Sequence, residues 1–200
     1  FDSENNELDG VSEYWVKGLD NAAFDFTGGI SSEIPAITTD VWVDPIEGTD
    51  EGNTSGDQQN PFLTIDFAMS MIYPTEENPV TIHLTAGEFS PSNNNEVFPI
   101  IMYSNINIFG EDEESTIINA MQTSKVLAIN YINNIELSSL TVTGGGPGST
   151  NYPSYDDQGG GISIYQSDVI LTDIIVNNNY AEYYGGGIDI SGFNGNISLA

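Results

Sequence analysis

Between Gly159 and Ala181 the apolar positions fall into three short runs, Ile162/Ile164, Val169/Leu171 and Ile174/Val176. Each alternates with other residues at period two, the pattern of a strand with one buried face. The separators Gln166-Ser167-Asp168, Thr172-Asp173 and Asn177-Asn178-Asn179 are polar and too short to hold a crossover helix. The phrase Gly159-Gly-Gly-Ile begins again at Gly185-Gly-Gly-Ile, about 26 residues on, a spacing within the solenoid range. Three short strands per turn and no helix between them predict an all-β parallel β-helix.

Upstream the same kind of strand recurs at Val80/Ile82/Leu84, Ile106/Ile108, Ile117-Ile118, Val126 to Ile129, Ile135/Leu137 and Leu140/Val142. Aligning residues 135–143 with 169–177 places Leu137 beside Leu171, Leu140 beside Ile174 and Val142 beside Val176. Like residues are thus expected to stack in inward columns, with coils running over 80–200. The last residues, Ile197 to Ala200, align with Val169 to Leu171, so the expected solenoid breaks off within a coil and is open at its C-terminal end.

One helix is expected, at 61–73. Asn60 is its candidate N-cap and Pro61 its first residue, where a missing amide hydrogen does no harm. Phe62, Ile65, Met69 and Ile72 share one helical face, and Phe67, Ala68 and Met71 add apolar surface elsewhere. Such a helix is expected to be buried between two layers, capping the solenoid, with Tyr73-Pro74 ending it. Residues 1–39, with Tyr14-Trp15-Val16, Phe24 and Phe26, join no repeat and read as an arm or cap that covers the first coil or a neighbouring subunit.

The segment from Val41-Trp-Val-Asp44 through the Gly/Asp-rich loop to Asn60-Pro-Phe62, Thr64-Ile65 and Ala68 resembles the leading segment of secreted right-handed β-helix proteins of the pectin-lyase-like superfamily. Val80-Thr-Ile-His-Leu84 and Gly87-Glu-Phe89 continue that pattern, and the resemblance covers about residues 41–200. It implies a fold and, through the acidic loop 44–60, a calcium site; it carries no catalytic motif. The Gly-Gly-Gly-Ile phrases also look like the Gly-Gly-x-Ile repeats of bacterial surface β-helix proteins.

Charge narrows the partners. Thirty acidic residues against two basic ones, Lys17 and Lys125, give a formal net charge of −28. Such a field repels nucleic acid phosphates and anionic lipids, and it attracts cations or suits a salt-rich habitat. No cysteine is present, which excludes disulfides and thiol chemistry. No apolar run is long enough for a membrane span. Beginning at Phe1, the chain reads as a processed product or a fragment, and an extracellular or cell-surface location is expected. Asn53-Thr-Ser and Asn196-Ile-Ser are acceptor sequons.

Two groups of residues are candidate sites. Asp44, Asp50, Glu51 and Asp57 supply oxygens in a glycine-containing loop, the requirement of Ca2+, although Asp and Gly also serve plain turn geometry. Tyr152, Tyr155, Tyr180 and Tyr183, with Asp156, Asp157 and Glu182, align before successive Gly triplets. Rings beside carboxylates suit a glycan, and stacked tyrosines equally suit a ladder between coils. The runs Asn133-Asn134 and Asn177 to Asn179 are expected at corners, where Asn accepts left-handed backbone. His83 is expected to face away from the core, with no partner legible in the sequence.

Catalysis finds little support in these residues. There is no arginine to neutralise a uronate, Lys125 reads as a corner residue, and nothing in the sequence shows two carboxylates held at the separation glycoside hydrolysis needs. The expectation is a non-catalytic extracellular β-solenoid, a sheath, filament or adhesin component that self-associates or meets a neighbouring surface protein. The alternative is a carbohydrate-binding or carbohydrate-active β-helix. Ice binding would need repeated Thr-x-Thr columns, and only Thr141-Val-Thr143 is present.

Overall fold

A computed structural model describes residues 36–146, 159–192 and 196–199. These belong to a unit running Ala36–Ala200. Twelve strands and one helix are described: β1 (Val41–Val43), α1 (Ile65–Met71), β2 (Val80–Leu84), β3 (Gly87–Phe89), β4 (Ile100–Ile101), β5 (Ile106–Gly110) and β6 (Thr116–Asn119), then β7 (Leu127–Asn130), β8 (Ile135–Thr143), β9 (Ile162–Tyr165), β10 (Val169–Val176), β11 (Ile188–Ser191) and β12 (Ile197–Leu199). Every strand pair is parallel. One ladder runs β1-β2-β5-β8-β10-β12, with β3 and β6 joining β8 beside it, and a separate sheet runs β11-β9-β7-β4. The fold is a parallel β-helix.

Inward columns of like residues make the core. Val41 pairs with Ile82, Ile82 with Ile108, Ile108 with Leu137 and Leu137 with Leu171, and all five are buried. Leu140 meets Ile174 and Val142 meets Val176 in the expected register. Each fully buried Ile or Leu contributes about 1.5–3 kcal/mol relative to exposure. A slip of one residue would turn a whole column to solvent, so this pattern fixes the register.

The corner at Thr172-Asp173 differs from expectation. Val169 to Val176 form one strand, β10, rather than two, and β8 is likewise continuous across Ser139. Ser139 and Asp173 take left-handed backbone, φ 56° and 50°, which turns the strand in one residue without ending its ladder. Asn105 and Asn134, both at φ 65°, form the corners before β5 and β8, and the Asn134 side-chain amide donates to Asn105 Oδ1 at 3.1 Å. The asparagine corners are therefore as the sequence predicts.

The Gly triplets explain themselves by contact. Gly160, Gly161 and Ile162 donate backbone N–H bonds to Gly185, Gly186 and Gly187, so consecutive triplets pair main chain to main chain. A Cβ on Gly145 would lie 1.8 Å from the Gly160 carbonyl oxygen, and one on Gly160 would lie 2.2 Å from that of Tyr180. No side chain fits between these coils.

The helix is shorter than expected, and its cap is different. Phe62 stays extended because it bridges Val43: its N–H donates to the Trp42 carbonyl, and its own carbonyl accepts from Asp44. The helix therefore starts at Ile65 with Thr64 as N-cap, whose hydroxyl accepts the Phe67 N–H at 3.1 Å. Asn60 instead donates its backbone and side-chain N–H groups to Asp57. Ile65, Ala68 and Ile72 are buried, whereas Phe67, Met69 and Met71 are only partly so, so one face rather than two is covered. The expected N-terminal arm falls outside the described residues apart from positions 36–39; of these, Ile37 bridges Ile72.

Candidate functional site

Residues that alternate with the core columns face outward from the long ladder. Trp42 is paired with His83 and His83 with Phe109, so β1, β2 and β5 present three aromatic rings in one outward column. The Trp42 and His83 rings stack with centroids 4.8 Å apart and planes 19° from parallel. Phe109 meets His83 edge to face at 6.2 Å. His83 Nε2 lies 3.3 Å from Asp40 Oδ2, and Asp40 Oδ1 accepts the Thr81 N–H at 2.9 Å. His83 faces outward as expected, and it has the partner that the sequence did not disclose.

Beside this column lies a groove of about 470 Å3, lined by Trp42, His83 and Phe109 together with Asp44, Thr85 and Glu111. Asp44 Oδ1 accepts the N–H groups of Ile46 and Glu47 at 2.8 and 2.9 Å. Glu111 Oε2 accepts the Ala86 N–H at 3.1 Å. Further along the ladder a second groove, about 570 Å3, mixes Asn107, Asn134, Glu136 and Asp168 with Ile135, Val169 and the exposed Ile170.

The acidic loop is tied to the scaffold. Asp50 Oδ1 accepts the N–H groups of Leu63 and Thr64, and its Oδ2 accepts the Thr64 hydroxyl at 2.8 Å. Asp57 accepts from Gln59 and Asn60, and a side-chain hydrogen bond from Ser55, with these bonds behind it, holds its carboxyl below the usual range. Glu51 is exposed. Asn53 donates to the carbonyls of Thr49, Asn60 and Pro61, which ties its side chain into the same loop. Among the described residues no three His, Asp or Glu side chains are grouped to hold a metal ion.

Of the tyrosine group, Tyr152, Tyr155, Asp156 and Asp157 lie outside the described residues. Tyr180, Glu182 and Tyr183 are exposed between β10 and β11, beside the exposed Tyr184, and the Tyr180 N–H donates to the Gly145 carbonyl at 2.8 Å. Lys125 stands at the corner before β7, as expected, and is buried there.

Sequence reasoning also missed Glu96. It is 2% exposed, and its carboxylate accepts the N–H groups of Ile65 at 2.7 Å and Asp66 at 3.0 Å. Burial raises its pKa to about 7, against the lowering effect of these bonds. Nothing local marks Glu96, because its partners lie thirty and thirty-one positions away. The aromatic column was legible in principle: Trp42 and His83 each sit between two inward residues of their strands, and Phe109 follows the inward Ile108.

No helix among the described residues is long and apolar enough to cross a membrane. The chain matches the family described as Protein of unknown function (DUF1565) over residues 46–198 and belongs to that family. No curated protein and no solved structure matches it.

Proposed function

We propose that this DUF1565 chain is a non-catalytic extracellular β-solenoid of the pectin-lyase-like superfamily, a structural component of a surface, sheath or filament. One observation supports this reading most: the polar groups that suggest chemistry in the sequence are spent on the scaffold. Asp44, Asp50 and Asp57 accept backbone N–H groups, and Asn179 bridges coils by accepting from Gly145 and donating to Val142. Asp44 and Asp57 close turns within the loop, Asp50 ties the loop to the start of α1, and Asn179 ties coil to coil, all scaffold roles. Parallel stacking with like on like also suits a part that associates with itself or with a neighbouring surface protein. Native sizing with electron microscopy tests the reading: assemblies or filaments are expected, and a monomer at every concentration would count against it.

A second reading, glycan binding, draws on the exposed rings of Tyr180, Tyr183 and Tyr184 beside Glu182. Sugar CH groups pack on such rings while hydroxyls meet the acid. A glycan array with the intact chain, repeated after Tyr180→Ala and Tyr183→Ala together, tests it; unchanged binding would remove the tyrosines from the site. Calcium binding by Asp44, Asp50, Glu51 and Asp57 is a further proposal, in which the ion shares carboxylates that already accept backbone donors.

A further inference from the structure

We propose that the groove beside Trp42, His83 and Phe109 binds an arginine- or lysine-bearing segment of a partner protein. The proposal goes beyond the surface reading by assigning a site and a ligand chemistry to one face of the solenoid. Three features favour a cationic nitrogen. The parallel register fixes the three rings in one column, so the aromatic wall is already formed before a ligand arrives. Aromatic rings attract ammonium and guanidinium groups through the negative potential over their faces, and arginine also stacks on them.

The carboxylates in the groove are held in place. Asp44 uses Oδ1, and Glu111 uses Oε2, to accept backbone N–H groups; Asp44 Oδ2 and Glu111 Oε1 carry none of these bonds. Each acid is thus anchored by one oxygen and can offer the other to a guanidinium or ammonium donor, a charge-assisted contact.

Charge complementarity selects this occupant. Among the described residues the groove is lined by the acids Asp44 and Glu111 and by no lysine, within a net charge of −28. The field and the two acids oppose an anionic ligand here, whereas a cation is drawn in by both. A volume of about 470 Å3 accommodates a side chain or two rather than a folded domain.

A fluorescent pentapeptide amide carrying two arginines, titrated against the intact chain in 0.15 M NaCl, tests the proposal by anisotropy. The expected result is saturable binding that weakens at least fivefold in Glu111→Gln and in Trp42→Ala. Binding should remain within twofold in Glu76→Gln, an exposed acid that does not line the groove but removes the same charge. The same peptide with citrulline in place of arginine should fail to bind. Because Trp42 is half-buried, Glu111→Gln, an exposed position, decides the matter if the Trp42 variant folds poorly. Equal weakening in Glu76→Gln and Glu111→Gln would reduce the effect to diffuse attraction and overturn the site. Binding of the citrulline peptide, or displacement of the arginine peptide by neutral cellotetraose, would overturn the cationic ligand.

Discussion

Glu96 accepts the backbone N–H of Ile65 at 2.7 Å, so an acid from the loop between β3 and β4 supplies the first turn of α1 with an acceptor. Asn94 reinforces the join by donating to the Leu63 carbonyl at 2.9 Å. The first turn of a helix leaves backbone donors unsatisfied, and here the next coil answers them. The helix is seven residues long, too short to persist on its own propensity, and it depends on this tertiary cap.

Burial of this acid makes stability depend on pH. In the unfolded chain Glu96 titrates near 4.5, and burial raises its pKa in the fold to about 7. The folded state therefore binds the proton more tightly. The contribution is fully present below about pH 4.5 and is lost as pH rises through about 7. At about 1.4 kcal/mol per pKa unit the change is on the order of 3 kcal/mol. Urea unfolding from pH 4.5 to 8 is expected to show this decline in the parent chain and a flatter profile in Glu96→Gln; parallel profiles would refute the assignment.

The corner residues give a sharper conformational test. Asp173 sits at φ 50°, where a β-branched side chain is strained and glycine is not. Asp173→Val is expected to lose about 1–3 kcal/mol in chemical denaturation. Asp173→Gly should fall within about 1 kcal/mol of the parent. A Val variant as stable as the Gly variant would show that the turn is not what constrains the position.

Leu137 lies fully buried between Ile108 and Leu171 in the central column. Truncation to Ala removes its packing and leaves a cavity that neighbouring coils cannot close, because their register is fixed by the ladder. Leu137→Ala is expected to cost about 2–5 kcal/mol, read from the urea midpoint at unchanged m-value.

Asp50 separates the turn and calcium readings of the acidic loop. With both of its oxygens accepting bonds from Leu63 and Thr64, Asp50→Ala is expected to lose about 1–3 kcal/mol in the presence of chelator. On the turn reading, chelator leaves the parent's Tm unchanged. A rise in Tm of several degrees on adding millimolar calcium, abolished in Asp50→Ala, would instead assign the loop to the ion.

Much of the fold was legible because a β-helix is built from short, repeated, local patterns. The pairing of Leu137 with Leu171 and of Val142 with Val176 follows from aligning two segments, since a period-two strand offers only two faces. Asn134 and Asn178 were readable as corners because few residues other than Gly tolerate left-handed backbone. The helix boundary was misread because Pro61 and Asn60 carry a good local start signal. Bridging of Phe62 to Val43 claims the same residues for an extended segment, and two backbone bonds to β1 outweigh one cap.

What the sequence determined by itself is the repeat: which residues point inward, where the chain turns, and where the glycine triplets recur. Tertiary structure alone decided which outward and polar residues meet. Trp42 stacks on His83 forty-one positions away, Asp40 reaches that same His83, and Glu96 caps Ile65 from the next coil. The physical reason lies in the coil length. Periodicity sets the face of each residue locally, but loops of unequal length set which residues one coil lays against the next, and those cross-coil contacts build the groove and the buried acid.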